Sequence, residues 1–153
     1  MAPIELHLSY AQPRRGIPSA TSFRRWAQAA LAGARHREPA ELSIRIVGAR
    51  EGRALNQRYR DRDYATNVLS FPVELPPDVR SRLLGDIVIC ANVVAREARE
   101  QGKEVRDHYA HLTVHGVLHL LGFDHQNDND AAQMEALETR VLATFGIPDP
   151  YRQ

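Results

Sequence analysis

Four of the chain's seven histidines recur at separations of three, four and four residues: His108, His111, His115 and His119. At 3.6 residues per turn, that spacing puts all four on one stripe of a helix. His115 and His119 then stand about 6 Å apart along the axis, and both imidazoles can reach one ion at roughly 2.0–2.1 Å. A third ligand on the same helix would lie about 12 Å from the first, too far to share that ion. It must come from beyond the helix. Gly122 stops the helical pattern, and His125 follows three residues later, where a turn can fold it back over the helix end. Three protein ligands leave one position of a tetrahedral ion open, which is the catalytic arrangement. The expected cofactor is one zinc ion per chain, held by His115, His119 and His125 and able to bring bound water to a pKa of about 7.

The full string is His115-Gly116-Val117-Leu118-His119-Leu120-Leu121-Gly122-Phe123-Asp124-His125. Its H-x-x-x-H-x-x-G-x-x-H spacing is that of the metzincin zinc site. From this composition such a string arises by accident on the order of 10⁻³ times per chain. One position departs from the peptidase pattern: Gly116 stands where zinc peptidases carry their glutamate base. The reading is therefore a hydrolase whose substrate is not a peptide.

The elements that must position these residues are legible from periodicity. Ile4, Leu6, Leu8 and Tyr10 alternate as in a half-buried strand, and Leu42, Ile44 and Ile46 do so again. Ser19 or Thr21 caps a helix running to about Arg37, with Phe23, Trp26, Ala27, Ala30 and Leu31 on one face. Residues 50–60 read as a short helix with Leu55 and Tyr59 inward, and Thr66–Val73 as a strand. Leu84–Cys90 is nearly continuous in apolar residues, hence a central strand. Helices follow over 92–102, 105–121 and about 128–145. This predicts one α+β domain spanning 1–153: a small sheet of about four strands packed with about five helices, carrying a zincin-like metal site.

Composition excludes several classes. With 43% apolar and 25% charged residues among 153, the chain is neither disordered nor a collagen-like repeat. A single cysteine, Cys90, rules out an intrachain disulfide and a cysteine-based zinc knuckle. No apolar run reaches about 18 residues, so no membrane partner is expected. The first residues lack a signal-peptide layout, which makes the cytoplasm the default location. Residues 1–62 hold 12 Arg against 5 acidic residues, whereas residues 63–153 hold 8 Lys+Arg against 14 acidic ones. Such a split points either to a polyanionic partner for the first half or to solvated arginines.

The string from His115 to His125 resembles the signature H-G-x-L-H-L-x-G-[YF]-D-H of the YbeY family of bacterial rRNA maturation factors, matching it at every position. A second stretch, Asn56, Tyr59, Arg60, Asp63 and Thr66 through Pro72, is similar to the family's segment before its central strand. Gly85-Asp86-Ile87 and the C-terminal Gly146, Pro148, Asp149, Pro150 and Tyr151 also fit. The likeness runs from about residue 42 to the end. Ala65 departs from it, where the family commonly has proline. The resemblance implies a zinc-dependent, single-strand-specific endoribonuclease with zinc on His115, His119 and His125 and a catalytic arginine at Arg60. It also implies work on the 3′ end of 16S rRNA and in ribosome quality control, with rRNA precursors and small-subunit components as partners.

Other residues carry weaker readings. Arg60 is either a solvated arginine or, as the resemblance implies, a guanidinium holding a scissile phosphate bidentately. Asp124 either orients an imidazole or serves the turn after the helix. Asp86 reads as a turn residue entering its strand, His111 as site wall, Cys90 as core, and Met134 as part of a helix. Two competing functions are a ribosome-assembly protein with a structural zinc, disfavoured by the open coordination, and a metallopeptidase, disfavoured by Gly116. The attacking group is either a metal-bound hydroxide or a ribose 2′-OH activated by it.

Overall fold

The alternating apolar residues of the first segment form β1 (Ile4–Tyr10), and those of the second form β2 (Ala40–Val47), parallel to it with Ile4 opposite Ala40. The computed structural model describes residues 3–62, 66–124 and 127–152. Between β1 and β2 runs α1 (Ala20–Gly33), capped by Ser19, whose Oγ accepts from the Ser22 amide. The helix ends before Arg37 because Arg35 adopts a left-handed φ of 60° and the His36 amide turns back to Leu31 O. Its predicted face of Phe23, Trp26, Ala27, Ala30 and Leu31 is fully buried.

Next come α2 (Ala49–Arg60), β3 (Val68–Pro72), β4 (Leu83–Cys90), α3 (Ala91–Gln101), α4 (Val105–Leu120) and α5 (Asp128–Ala143). The described residues thus form the expected α+β architecture of four strands and five helices. Strand order is β1-β2-β4-β3, with β4 parallel to β2 and β3 antiparallel at the edge. No helix among the described residues is long and apolar enough to cross a membrane.

The pleat of β4 divides the core. Ile87 and Ile89 join the larger cluster with α1, α4 and α5, while Val88 and Cys90 join a smaller one with Val47, Leu69 and Val93. Cys90 is accordingly a core residue. Helix α4 runs through the middle of the larger cluster. Tyr109, Ala110, Leu112, Val114, Val117 and Leu118 are buried around its circumference, and so is His108, whereas His111, His115 and His119 are half-buried and form the accessible side of its later turns.

Two glycines permit this packing. Gly116 brings α4 down onto β4: a Cβ there would stand 2.9–3.2 Å from three side-chain carbons of Ile87. Gly85 has φ +142°, and a Cβ there would meet the Phe71 carbonyl across the β3–β4 pair. The register between β2 and β4 shifts at the same place, with Glu41 opposite Leu83 and Leu42 opposite Gly85.

Two expectations are corrected. Tyr59 does not point inward; it is 56% exposed, because the last turn of α2 overruns the sheet edge and sets the ring against Phe71, centroids 5.1 Å apart. Asp86 is not a turn residue. It lies within β4 opposite Ser43, whose hydroxyl donates to it on the open face of the sheet.

Candidate metal centre

The sheet ends at β3, and there the last turn of α2 and the histidine stripe of α4 come together. Asp61 closes α2 in a left-handed conformation, with its amide directed to Asn56 O and Gln57 O, which leaves Arg60 exposed on the final turn. A cleft of about 230 Å³ is lined by Arg60, Thr66, Asn67, Val68, Ser70, His115 and His119. A wider groove of about 540 Å³, which shares Arg60, Ser70 and His119 with it, is bordered also by Tyr59, Phe71, Phe123 and Asp124. Arg60, which is distant in sequence from the histidines, therefore shares one cleft with two of them.

The His115 and His119 rings stand 4.9 Å apart, centroid to centroid. His115 has its Nδ1 3.2 Å from Oε2 of Glu138, a carboxylate with no solvent exposure. An ionised carboxylate only accepts, so Nδ1 carries the proton and Nε2 keeps its lone pair for a metal. His125 lies outside the described residues, as does Ala65. The two described histidines fit a zinc ion by donor type and by their placement one turn apart.

Glu138 is the centre of a buried network. Its Oε1 accepts from His111 Nε2 and from the Tyr151 hydroxyl, each at 2.7 Å. Burial by itself raises the Glu138 pKa, but the hydrogen bonds from His111 and His115, with smaller electrostatic contributions from the two rings, outweigh it and bring the value down to about 2. Burial, followed by the Glu138 charge, pushes the Tyr151 hydroxyl well above its usual range, so it stays a donor.

His111, His115 and Glu138 bring three ligand-type atoms within 4.8 Å of one another. Two ligands of one tetrahedral ion at about 2.0–2.1 Å stand roughly 3.3 Å apart. The 2.7 Å contact between His111 and Glu138 is closer than that, and reads as a hydrogen bond. His111 thus forms the wall behind His115 rather than a surface of the Arg60 cleft. Further along α4, the buried His108 bonds Glu97 at 2.9 Å, and Glu97 also accepts from Asn67 at 3.0 Å. Burial lowers the His108 pKa, opposed by its Glu97 hydrogen bond. This chain ties the cleft wall at Asn67 to α3 and α4.

Sequence reasoning missed Glu138 and Glu97. A signal for Glu138 was present: it shares the buried face of α5 with Met134, Leu137 and Val141, where a lone carboxylate requires partners. Met134 is buried in that helix, as its pattern indicated. Asp124 borders the wider groove beside His119.

A sequence profile of the endoribonuclease YbeY family matches residues 10–146. The chain belongs to that family. A relative named endoribonuclease YbeY from Stenotrophomonas maltophilia is 62% identical, covering 97% of this chain and 93% of its own. Another of that name, from Xanthomonas axonopodis pv. citri, is 59% identical over the same shares. The solution structure of TM1509 from Thermotoga maritima superposes with a TM-score of 0.58 over 98% of this chain and 99% of its own, at 21% identity, so it supports the fold alone. YbeY membership agrees with the motif likeness, and the Arg60–His115–His119 cleft lies where the two matching stretches meet.

Proposed function

We propose that the chain is a single hydrolase domain over 1–153 that cleaves single-stranded RNA with one zinc ion on His115, His119 and His125. As a member of its family it is an endoribonuclease, hydrolysing RNA phosphodiester bonds. The observation that carries the finer reading is the shared cleft: a guanidinium-bearing residue faces two imidazoles across a space of about 230 Å³. Bound zinc supplies Lewis acidity there and a lowered pKa for water. The chain's own groups do the rest. Arg60 holds the scissile phosphate through paired N–H donors and offsets the charge that grows on its oxygens. Tyr59, exposed beside Phe71 with Arg58 5.4 Å from its ring centroid, gives the neighbouring base a stacking surface. Stacking of this kind needs an unpaired base, which favours single strands over duplex.

The peptidase alternative has no support in the geometry. Gly116 faces Ile87 on the sheet, not the cleft, so a glutamate base has no room at that position. The proposed setting is the cytoplasm, acting on rRNA precursors at the 16S 3′ end and in ribosome quality control with small-subunit components; the motif likeness supports this. Zinc-loaded protein given single-stranded and duplex RNA tests the reading, with a chelated sample and Arg60→Ala alongside. Single-stranded cleavage is expected in the loaded wild type alone. Equal cleavage by chelated protein would remove the metal from the reaction.

A further inference from the structure

We propose that Glu138 and Tyr151 are positioning residues for the metal centre: the C-terminal tyrosine clamps a buried carboxylate, and that carboxylate fixes the ring of His115. The proposal rests on the reading of His115 as a zinc ligand.

Glu138 has no solvent exposure, and its two oxygens serve different partners. Oε2 faces His115 Nδ1 at 3.2 Å, whereas Oε1 accepts from His111 and Tyr151. Both donors on Oε1 hold the carboxylate plane in place, and that plane determines how the His115 ring turns. A carboxylate on one ring nitrogen directs the other at the cleft and raises its basicity as a ligand. Tyr151 is itself held. Its amide donates to Asp149 Oδ1 at 2.9 Å, Thr139 Oγ1 lies 3.3 Å from the same atom, and Lys103 Nζ donates to Pro150 O at 3.2 Å. The His111 and Tyr151 rings meet edge to face at 5.3 Å. The C-terminal segment is thus fastened at several points and reaches the site through one hydroxyl. This contact lies beyond the histidine motif and ties the chain's end to its metal ligand.

The test measures zinc affinity by competition with a chromophoric chelator, and the His115 tautomer in zinc-free protein by ¹⁵N NMR. Glu138→Gln replaces one acceptor oxygen with an N–H₂ donor, so the amide cannot accept from all three partners. Its zinc affinity should fall about 10–100-fold, the range typical for groups that orient a metal's ligands. The Nδ1–H signature of His115 should weaken as well. Tyr151→Phe removes one hydroxyl from a part-exposed residue and guards against misfolding of the Glu138 variant. It should lower affinity several-fold in a protein that stays folded, with a modestly lower Tm because a hydrogen bond to the buried carboxylate is lost. Affinity within twofold of wild type in Tyr151→Phe, or in a folded Glu138→Gln, overturns the proposal. So does loss of zinc in His111→Ala with retention in His119→Ala, because His111 and Glu138 would then be ligands themselves. Failure of the underlying reading looks different: wild type would hold no zinc, or His115→Ala would hold it fully.

Discussion

Gly116→Ala adds one carbon where α4 lies on β4, at 2.9 Å from Ile87 Cδ1, 3.1 Å from Cγ2 and 3.2 Å from Cγ1. Ile87 is β-branched and fully buried, so it has little freedom to move aside. Overpacking of this kind costs about 1–3 kcal/mol. Replacing a mid-helix glycine with alanine returns about 1 kcal/mol. The net expectation is a loss of about 0–2 kcal/mol, or a Tm lower by up to about 4–8 °C for a chain of this size. A double-mutant cycle removes the propensity term. Ile87→Val alone should cost about 0.5–1.5 kcal/mol. In the Gly116→Ala background it removes the nearest clashing carbon and should cost less, or gain. The assay is urea unfolding of the four proteins, with zinc content checked to confirm that the cleft is intact. Additivity within about 0.3–0.5 kcal/mol would refute the contact, and with it the explanation of why no glutamate occupies this position.

Other consequences follow from the cleft and its support. Arg60→Ala should keep its zinc and its stability yet lose about 10²–10³ in cleavage rate, and Arg60→Lys should rescue poorly because an ammonium cannot form the bidentate fork. Cleavage within about twofold of wild type would make Arg60 a solvated arginine. RNA affinity should fall steeply with salt, and Arg58→Ala should reduce the slope of log affinity against log salt by about one; an unchanged slope would place the phosphate path elsewhere. In zinc-free protein, Glu138 titrates near 2 when folded against 4.5 as its ordinary value. Its stabilisation is then complete above about pH 4.5 and is lost as pH falls towards 2, an amount of about 3 kcal/mol. Urea midpoints measured from pH 6 to 3 should fall less in Glu138→Gln than in wild type.

Spacing carried the histidine stripe, because a helix converts separations of three and four into one face whatever surrounds it. The Ser19 cap and the alternation in β1 and β2 were legible for the same local reason. Tyr59 was misplaced because helical periodicity says which residues share a face, not where the sheet beneath that face stops. Leu55 still packs over the smaller core, while Tyr59, one turn on, has passed its edge. Strand order depends on β4 pairing with both β2 and β3, contacts that no single segment encodes. Glu138 escaped notice because its partners come from α4 and from the chain's last residues. Net charge per half does not say where each arginine lies. Arg45 pairs with Glu51, Arg24 donates to Ile4 O and Arg25 lies near the Phe145 ring, whereas Arg60 lines the cleft and Arg58 lies beside the Tyr59 ring.

Metal content measured by elemental analysis, on wild type and His119→Ala purified side by side, bears most directly on the proposed centre. About one zinc per chain is expected in wild type and none in the variant, with RNA cleavage lost in step. A variant that retains a full equivalent of zinc would show that the ion, if it serves the reaction, is not held in the cleft facing Arg60.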